Sequence, residues 1–359
     1  MRAVVFTAFG TVPAVQEVPD PVAPPGGVVV RVDTTGICRS DWHALAGHDP
    51  DVVLPHVPGH EFAGTVHSVG PGVSGVRPGE RVSAPFVFAC GVCPPCRQGD
   101  QQICLDQVQP GFTRWGSFAE YVVVERAAVN LVGVADQVSL AAAAVLGCRF
   151  GTSFRAVTVV GAVRPGEWVA VHGCGGVGLS AVMIAVEAGA RVAAVDVSPG
   201  ALALAQELGA EVVVDARAVD RGFGVGPASG GDTASWIKDV TGGGAHLSLD
   251  ALGSAATCAA SIACLRPRGR HVQVGLLPPG LGWPAVPMHL VVSGELQVLG
   301  SHGMPAHAYP QLLSLVASGR LRPDLLITDT LSLDQAGSAL FAMGSPNPAR
   351  PGGVAVVKP

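Results

Sequence analysis

The sequence predicts an α/β protein in two domains, an irregular and mostly antiparallel β domain followed by a doubly wound parallel sheet. Three observations lead there. At 359 residues the chain is long for a single hydrophobic core. Its first 150 or so residues read as short β-branched runs separated by Gly- and Pro-containing turns. From Trp168 onward, apolar strands alternate with helical segments, the pattern of a parallel sheet covered on both faces. With 48% hydrophobic and only 14% charged residues, the chain has the composition of a well-buried globular protein.

In order along the chain, Val28–Val32, Gly64–Val69, Arg81–Ser83 and Ala119–Val124 are predicted strands. Turns such as Pro24-Pro25-Gly26-Gly27 and Arg77-Pro78-Gly79-Glu80 bound them. The Ala-rich stretch Leu140–Leu146 predicts a buried helix. Then come a strand at Trp168–His172, a helix from about Val177 to Ala188, a strand at Arg191–Asp196, a helix through Ala201–Leu208 and a strand at Glu211–Val214. Strand-like stretches follow at His246–Asp250 and His271–Gly275. The tail holds a helix candidate, Tyr309–Ser318, and Gly353-Val-Ala-Val-Val could close a sheet. The expected domains are 1–149, 150–299 and a returning segment, 300–359.

A net charge of −5 with scattered Lys and Arg offers no basic face, so no nucleic-acid partner is expected. Apolar runs are broken well short of a bilayer's thickness, so no membrane association is expected. The start, Met1-Arg-Ala-Val-Val-Phe, has no signal-peptide pattern, and a cytoplasmic location is the expectation.

Cys90, Cys93, Cys96 and Cys104 stand in one short stretch, the spacing of a closed tetrahedral metal site. Four thiolates satisfy zinc and leave no position for substrate, which predicts a structural role. Two alternatives stand beside it. A disulfide framework calls for an oxidising compartment and usually a small secreted chain. An iron–sulfur cluster also takes four cysteines, against which count the long gap to Cys104 and the lack of a following Pro.

Gly173-Cys-Gly-Gly-Val-Gly178 follows a predicted strand and opens a predicted helix, the context in which a Gly-x-Gly-x-x-Gly motif binds a dinucleotide. Gly173 permits the turn, Gly175 lets backbone approach a pyrophosphate, and Gly178 lets the helix pack closely. Gly176 and Val177 lie at the helix N-terminus, where free N–H groups favour phosphate. Asp196 ends the next strand and can accept hydrogen bonds from both ribose hydroxyls while repelling a 2′-phosphate. No Arg or Lys stands in Ser198–Ala201, so the expected cofactor is NAD. Asp196 could equally cap the following helix.

The remaining metal-type residues are Cys38-Arg39-Ser40-Asp41-Trp42-His43, Gly59-His60-Glu61 and Gly147-Cys148. With the quartet and the glycine motif, they follow the order found in zinc-dependent medium-chain alcohol dehydrogenases, and the chain resembles that family from its first strand to its C-terminus. The resemblance implies a GroES-like catalytic domain joined to a Rossmann domain, with two zinc ions per chain. It makes Cys38, His60 and Cys148 the catalytic zinc ligands, Glu61 a carboxylate behind the metal, and Asp41 a hydrogen-bond partner of His60. It also makes Ser40 the acceptor of the substrate proton, passed through the cofactor ribose to His43, and Arg39 a pyrophosphate-binding cation. Arg350 is the basic residue nearest to where relatives carry a phosphate contact. Ala201 stands where many relatives carry a Lys toward the adenosine ribose. The absence of the longer insertion between Cys104 and Phe118 resembles the tetrameric microbial branch, so a homo-oligomer, tetramer or dimer, is implied.

Phe86 resembles a position lining the alcohol pocket, with Trp42, Trp115 and Phe112 as candidate neighbours. An aromatic lining suits medium-chain or aryl alcohols better than polyols. Two other readings stand against alcohol–carbonyl interconversion. One is reduction of another activated C=O, C=C or C=N bond on the same scaffold, against which an intact Ser40 and His43 argue. The other is a zinc-stabilised binder of NAD without turnover, which would have no need for an open metal site.

Overall fold

In the computed structural model the described residues are 1–220, 232–277, 284–345 and 352–359. They divide into two compact units. The first holds Met1–Gly151, the described residues from Gly303 to Ser345 and Val354–Pro359. The second holds Thr152–His302 with Gly352 and Gly353. Arg350 lies outside the described residues.

The first unit is built on Val28–Gly36, a longer strand than the Val28–Val32 run suggests. It pairs antiparallel with Phe62–Val69, Tyr121–Val124 and Val354–Lys358. Its length lets it serve three partners, for Val28–Arg31 pair with Tyr121–Val124 and Thr35–Gly36 with Val354–Lys358, while the pairing with Phe62–Val69 runs through two register shifts. Arg81–Ser83 and Val132–Gly133 continue the sheet on one side, and Ile327–Ser332 lies parallel to Val354–Lys358 on the other. Val28, Val30, Phe62, Val66, Phe88 and Val124 form one core of this unit. Leu140–Ala144 is helical and buried, capped by the Ser139 hydroxyl accepting from Ala142 N–H. The predicted helix ends two residues early. At Leu146–Phe150 the chain widens to π-helical turns, with Phe150 N–H reaching back five residues to the Val145 carbonyl.

The second unit is a six-stranded, all-parallel sheet. Its order is Val212–Asp215, Arg191–Asp196, Trp168–His172, Ala245–Asp250, Leu265–Gln273 and Gln297–Gly300. The central strands are buried almost end to end, which is why they read as continuous apolar runs. The predicted strand at His271–Gly275 instead begins at Leu265 and ends at Gln273. Pro267 and Gly269, which look like strand breakers, sit in an irregularity where Leu265 pairs with Ala245 but Arg270 pairs with Leu247. Helices Gly176–Glu187 and Pro199–Glu207 begin directly after the first two strands in sequence.

Candidate active site

Three segments of the first unit bring their side chains together. Helix Arg39–Leu45 starts at Cys38, and Asp41 in its first turn reaches back to accept the Cys38 N–H at 2.9 Å. The other Asp41 oxygen accepts the Gly59 N–H at 3.1 Å and lies 2.8 Å from His60 Nδ1. A carboxylate can only accept, so His60 carries its proton on Nδ1 and leaves Nε2 as a lone-pair donor. That Nε2 is buried and has no hydrogen-bond partner.

Cys38, His60, Glu61 and Cys148 each contribute one ligand atom to a group lying within 4.8 Å of one another. The Cys38 thiol sits well below its ordinary pKa, first because Cys148 hydrogen-bonds to it and then because His60 adds to that pull against the cost of burial. An orphaned imidazole nitrogen beside two cysteine sulfurs is a donor set that fits a divalent metal, with zinc the natural match.

Cys148 is delivered by the widened turn. A Cβ at Gly147 would lie 2.9 Å from the Ala84 carbonyl, so this position admits no larger residue without movement. The Gly147 carbonyl accepts from Phe86 N–H at 3.0 Å, which ties Cys148 to the segment carrying Phe86. The rings of Phe86 and Phe112 stand 6.2 and 5.3 Å from that of His60. Trp42 stands edge-on to His43 and His48 and beneath the Arg39 guanidinium at 4.2 Å. Arg39 also donates to the Met343 carbonyl. Trp115 is 40% exposed and gives its indole N–H to the Pro55 carbonyl. It lines a surface pocket with Val53, His56 and Phe112, a pocket whose lining includes none of the four metal-donor residues.

Ser40 Oγ lies 3.8 Å from Cys38 Sγ. His43 Nδ1 meets His48 Nδ1 at 2.9 Å, and His48 is exposed. Desolvation lowers the His43 pKa, and the charges of Arg39 and His48 lower it further.

The four quartet cysteines form the other donor cluster, their sulfurs also within 4.8 Å of one another. Backbone N–H groups point at them: Val92 and Cys93 donate to Cys90 Sγ, and Cys90 and Asp106 donate to Cys104 Sγ. The Leu105 N–H leads the interactions that bring the Cys93 thiol down to about 6. The N–H bonds favour thiolate at Cys90 and Cys93, whereas burial raises Cys104 and pushes Cys96 up to about 12, so four thiolates together call for a metal ion to hold them.

In the second unit, Gly173 adopts φ +90° at the turn out of strand Trp168–His172. A Cβ on Gly178 would lie 1.7 Å from the Gly173 carbonyl oxygen, so only glycine lets the helix start this close. At Gly175 the opposite holds, for a Cβ there would meet nothing within 4 Å. Open space above the N-terminus of a 12-residue helix is a cradle that fits a pyrophosphate. Asp196 accepts from Cys174 N–H at 2.6 Å and from Val197 and Ser198 N–H at 2.7 and 2.8 Å. The alternative that it caps the next helix is not what the structure has, because Ser198 accepts the Ala201 N–H.

Residues 24–134 match the alcohol dehydrogenase GroES-like domain and residues 176–318 match the zinc-binding dehydrogenase family. The chain is 34% identical over 324 residues to an alcohol dehydrogenase of Geobacillus stearothermophilus, covering 90% of each. The solved structure of the alcohol dehydrogenase from Thermus sp. ATN1 superposes with a TM-score of 0.87 at 32% identity, covering 100% of this chain and 99% of the other. This chain belongs to the zinc-dependent medium-chain dehydrogenase family. A zinc-binding dehydrogenase from Sinorhizobium meliloti 1021, solved bound to NADP, is 29% identical with a TM-score of 0.86, covering 100% of this chain and 99% of that one.

Three residues that sequence reasoning missed contact the candidate site residues or their neighbours. Arg149, beside Cys148, grips Glu61: its backbone N–H and Nε donate to Oε1 at 2.8 and 3.0 Å, and its Nε also reaches Oε2 at 2.7 Å. Burial alone would lower the Arg149 pKa, but the Glu61 charge raises it above the ordinary value, so the guanidinium stays protonated. A charge inside Val145-Leu146-Gly147-Cys148-Arg149-Phe150 was the available signal. Tyr309 is buried and donates its hydroxyl toward the carbonyls of Leu146 and Gly147 at 3.1 and 3.2 Å. Arg217 donates to the Val197 carbonyl. A cation therefore does stand beside Asp196, brought there because Asp215 pairs in register with it.

Proposed function

We propose that the chain is an NAD-dependent alcohol dehydrogenase holding two zinc ions, which interconverts primary or secondary alcohols with their aldehydes or ketones. The reading rests above all on His60 Nε2, a buried nitrogen with no partner that shares its space with the sulfurs of Cys38 and Cys148. Two thiolates and one imidazole form a recognised catalytic zinc set, whereas the quartet matches the closed structural type. The names of relatives such as the Geobacillus enzyme support alcohol as the substrate class.

When bound, zinc supplies a Lewis acid that polarises the substrate oxygen, and the nicotinamide supplies the hydride acceptor. Asp41 holds His60 in the tautomer that presents Nε2. Ser40 would accept at Oγ the proton leaving the substrate hydroxyl while releasing its own hydroxyl proton toward the cofactor ribose and His43. His43 and His48 carry protons to water through their 2.9 Å contact, His48 being the exposed member. Phe86 and Phe112 give the space beside His60 an apolar wall, which suits medium-chain or aryl alcohols. Gly175 and the start of helix Gly176–Glu187 receive the pyrophosphate, and Asp196 selects the unphosphorylated ribose.

Metal analysis tests the core of this reading. The expected result is two zinc ions per chain, falling to one in Cys148→Ser with loss of NADH formation from alcohols. A Cys148→Ser protein with unchanged turnover would refute the ligand assignment. A panel of alcohols of varied length, branching and aromaticity, read by NADH absorbance, identifies the substrate.

We also propose that the protein is a homo-oligomer. Among the described residues Gln297–Gly300 is an edge strand with Val298 exposed, and helix Met288–Ser293 beside it in sequence buries none of its residues. Light scattering coupled to size exclusion decides the point, a monomer being the refuting result. No described helix is long and apolar enough to cross a membrane.

A further inference from the structure

Cys38, His60, Glu61 and Cys148 present four ligand atoms within 4.8 Å of one another. Four protein donors close a tetrahedral zinc site, and a closed site has no place for substrate. The chain therefore carries one donor too many for the chemistry proposed above.

We propose that Arg149 keeps the fourth metal position open by holding the Glu61 carboxylate to itself. The inference rests on the reading of Cys38, His60 and Cys148 as metal ligands. Both Glu61 oxygens are engaged: Oε1 by the Arg149 N–H and Nε, and Oε2 by Nε and Nη2. The guanidinium is anchored in turn, since Nη2 also donates to the Ile37 carbonyl at 2.8 Å. The side chains of Arg149 and Glu61 are 5% and 0% exposed, so water cannot replace either partner. Gly36 completes the restraint. A Cβ there would lie 2.5 Å from Glu61 Oε2, and the Gly36 N–H donates to the Glu61 carbonyl at 2.7 Å. The turn that delivers the ligand Cys148 thus also delivers, one residue later, the group that restrains its competitor. Arg149 is a positioning residue, acting on the metal only through Glu61.

The test uses the full-length protein with cobalt(II) in the catalytic position, because cobalt's visible absorption reports its coordination and imidazole can fill an open site. Arg149→Met should alter the visible spectrum and weaken imidazole binding about tenfold. Adding Glu61→Gln to Arg149→Met should return the affinity to within about threefold of the parent, since the competing carboxylate is gone. Gly36→Ala, which displaces Glu61 without removing a buried charge, should weaken imidazole in the same direction. Parental affinity in Arg149→Met overturns the proposal, as does a double variant as weak as the single, which would mean general loosening. If Arg149→Met does not fold, Gly36→Ala decides alone, and parental affinity there overturns the proposal. Failure of the metal reading itself looks different: cobalt spectra would be the same in the parent and in Cys148→Ser.

Discussion

The hydroxyl of Tyr309 donates to the carbonyl of Gly147 at 3.2 Å, bridging 162 residues of sequence to reach the position next to Cys148. The widened turn at Leu146–Phe150 departs from the regular helical ladder, and the single Tyr309 hydroxyl proton is shared between its first two carbonyls. Burial raises the Tyr309 pKa, and the charges of Cys148 and Glu61 raise it further, so the phenol remains a donor.

Tyr309→Phe removes that donor and keeps the ring. The expected cost is about 0.5–1.5 kcal/mol in the first unit, the net worth of one hydrogen bond, because the two carbonyls keep the Gly151 and Phe86 N–H donors. Urea denaturation of the metal-loaded protein measures it, and an unchanged midpoint would show that the turn needs no outside donor.

Asp41→Asn tests the tautomer argument. The carboxylate accepts from Cys38 N–H, Gly59 N–H and His60 together. Losing that constraint should lower catalytic metal affinity by about 10–100-fold while the quartet keeps its ion. Competition with a chelator, read as two release phases, separates the sites, and equal loss from both would contradict the assignment.

Gly175 and Gly178 should separate binding from folding. Gly175→Val places its side chain in open space and should weaken NAD binding about tenfold or more with little change in melting temperature. Gly178→Ala drives a Cβ into the Gly173 carbonyl and should cost about 1–3 kcal/mol of stability. Calorimetric titration and thermal melts on both variants check the contrast, and the reverse pattern would exchange the two roles.

Asp196→Ser removes the carboxylate that would face a 2′-phosphate and leaves Arg217 beside it on the Val197 carbonyl. The ratio of kcat/KM for NADP to that for NAD should rise about tenfold or more. A ratio unmoved by the substitution would take cofactor choice away from Asp196.

Acid should weaken the second unit before its carboxylates titrate. His172 is held neutral, its pKa lowered to about 4 by burial, with Asp250 opposing and His271 adding to the shift. Cys264 Sγ is 3.6 Å from its Nε2. The unfolded chain binds the proton at the ordinary value near 6.5, so this stabilisation is complete above that pH. It is lost as pH falls from about 6.5 toward 4, up to about 3 kcal/mol in all. Unfolding midpoints between pH 7 and 5 should fall in the parent and fall less in His172→Leu. Parallel slopes would acquit His172.

Much of this arrangement is legible in the sequence where the signal is local. The quartet, the glycine motif and the strands Trp168–His172 and Arg191–Asp196 depend on spacing within a few residues, and those strands are found at the predicted bounds. Legibility fails where a contact spans the chain. Nothing near Glu61 announces a partner 88 residues later, and nothing near Cys148 announces Tyr309. The strand Leu265–Gln273 was obscured for another reason, as Pro267 and Gly269 signal a break that an irregular register absorbs. Arg217 was missed because strand register, not sequence proximity, brings it to Asp196.

The pairing of Val354–Lys358 with Val28–Gly36 fixes an order of events during synthesis. The second unit's strands are all translated before Tyr309 and before this last strand of the first unit's sheet. The Rossmann sheet can therefore form around its nucleotide while the thiols of Cys38 and Cys148 still wait for the strand and the phenol that complete their surroundings. Release of the C-terminal residues from the ribosome is therefore the event that closes the surroundings of both thiols, and a chain truncated near residue 300 would leave them open to oxidants.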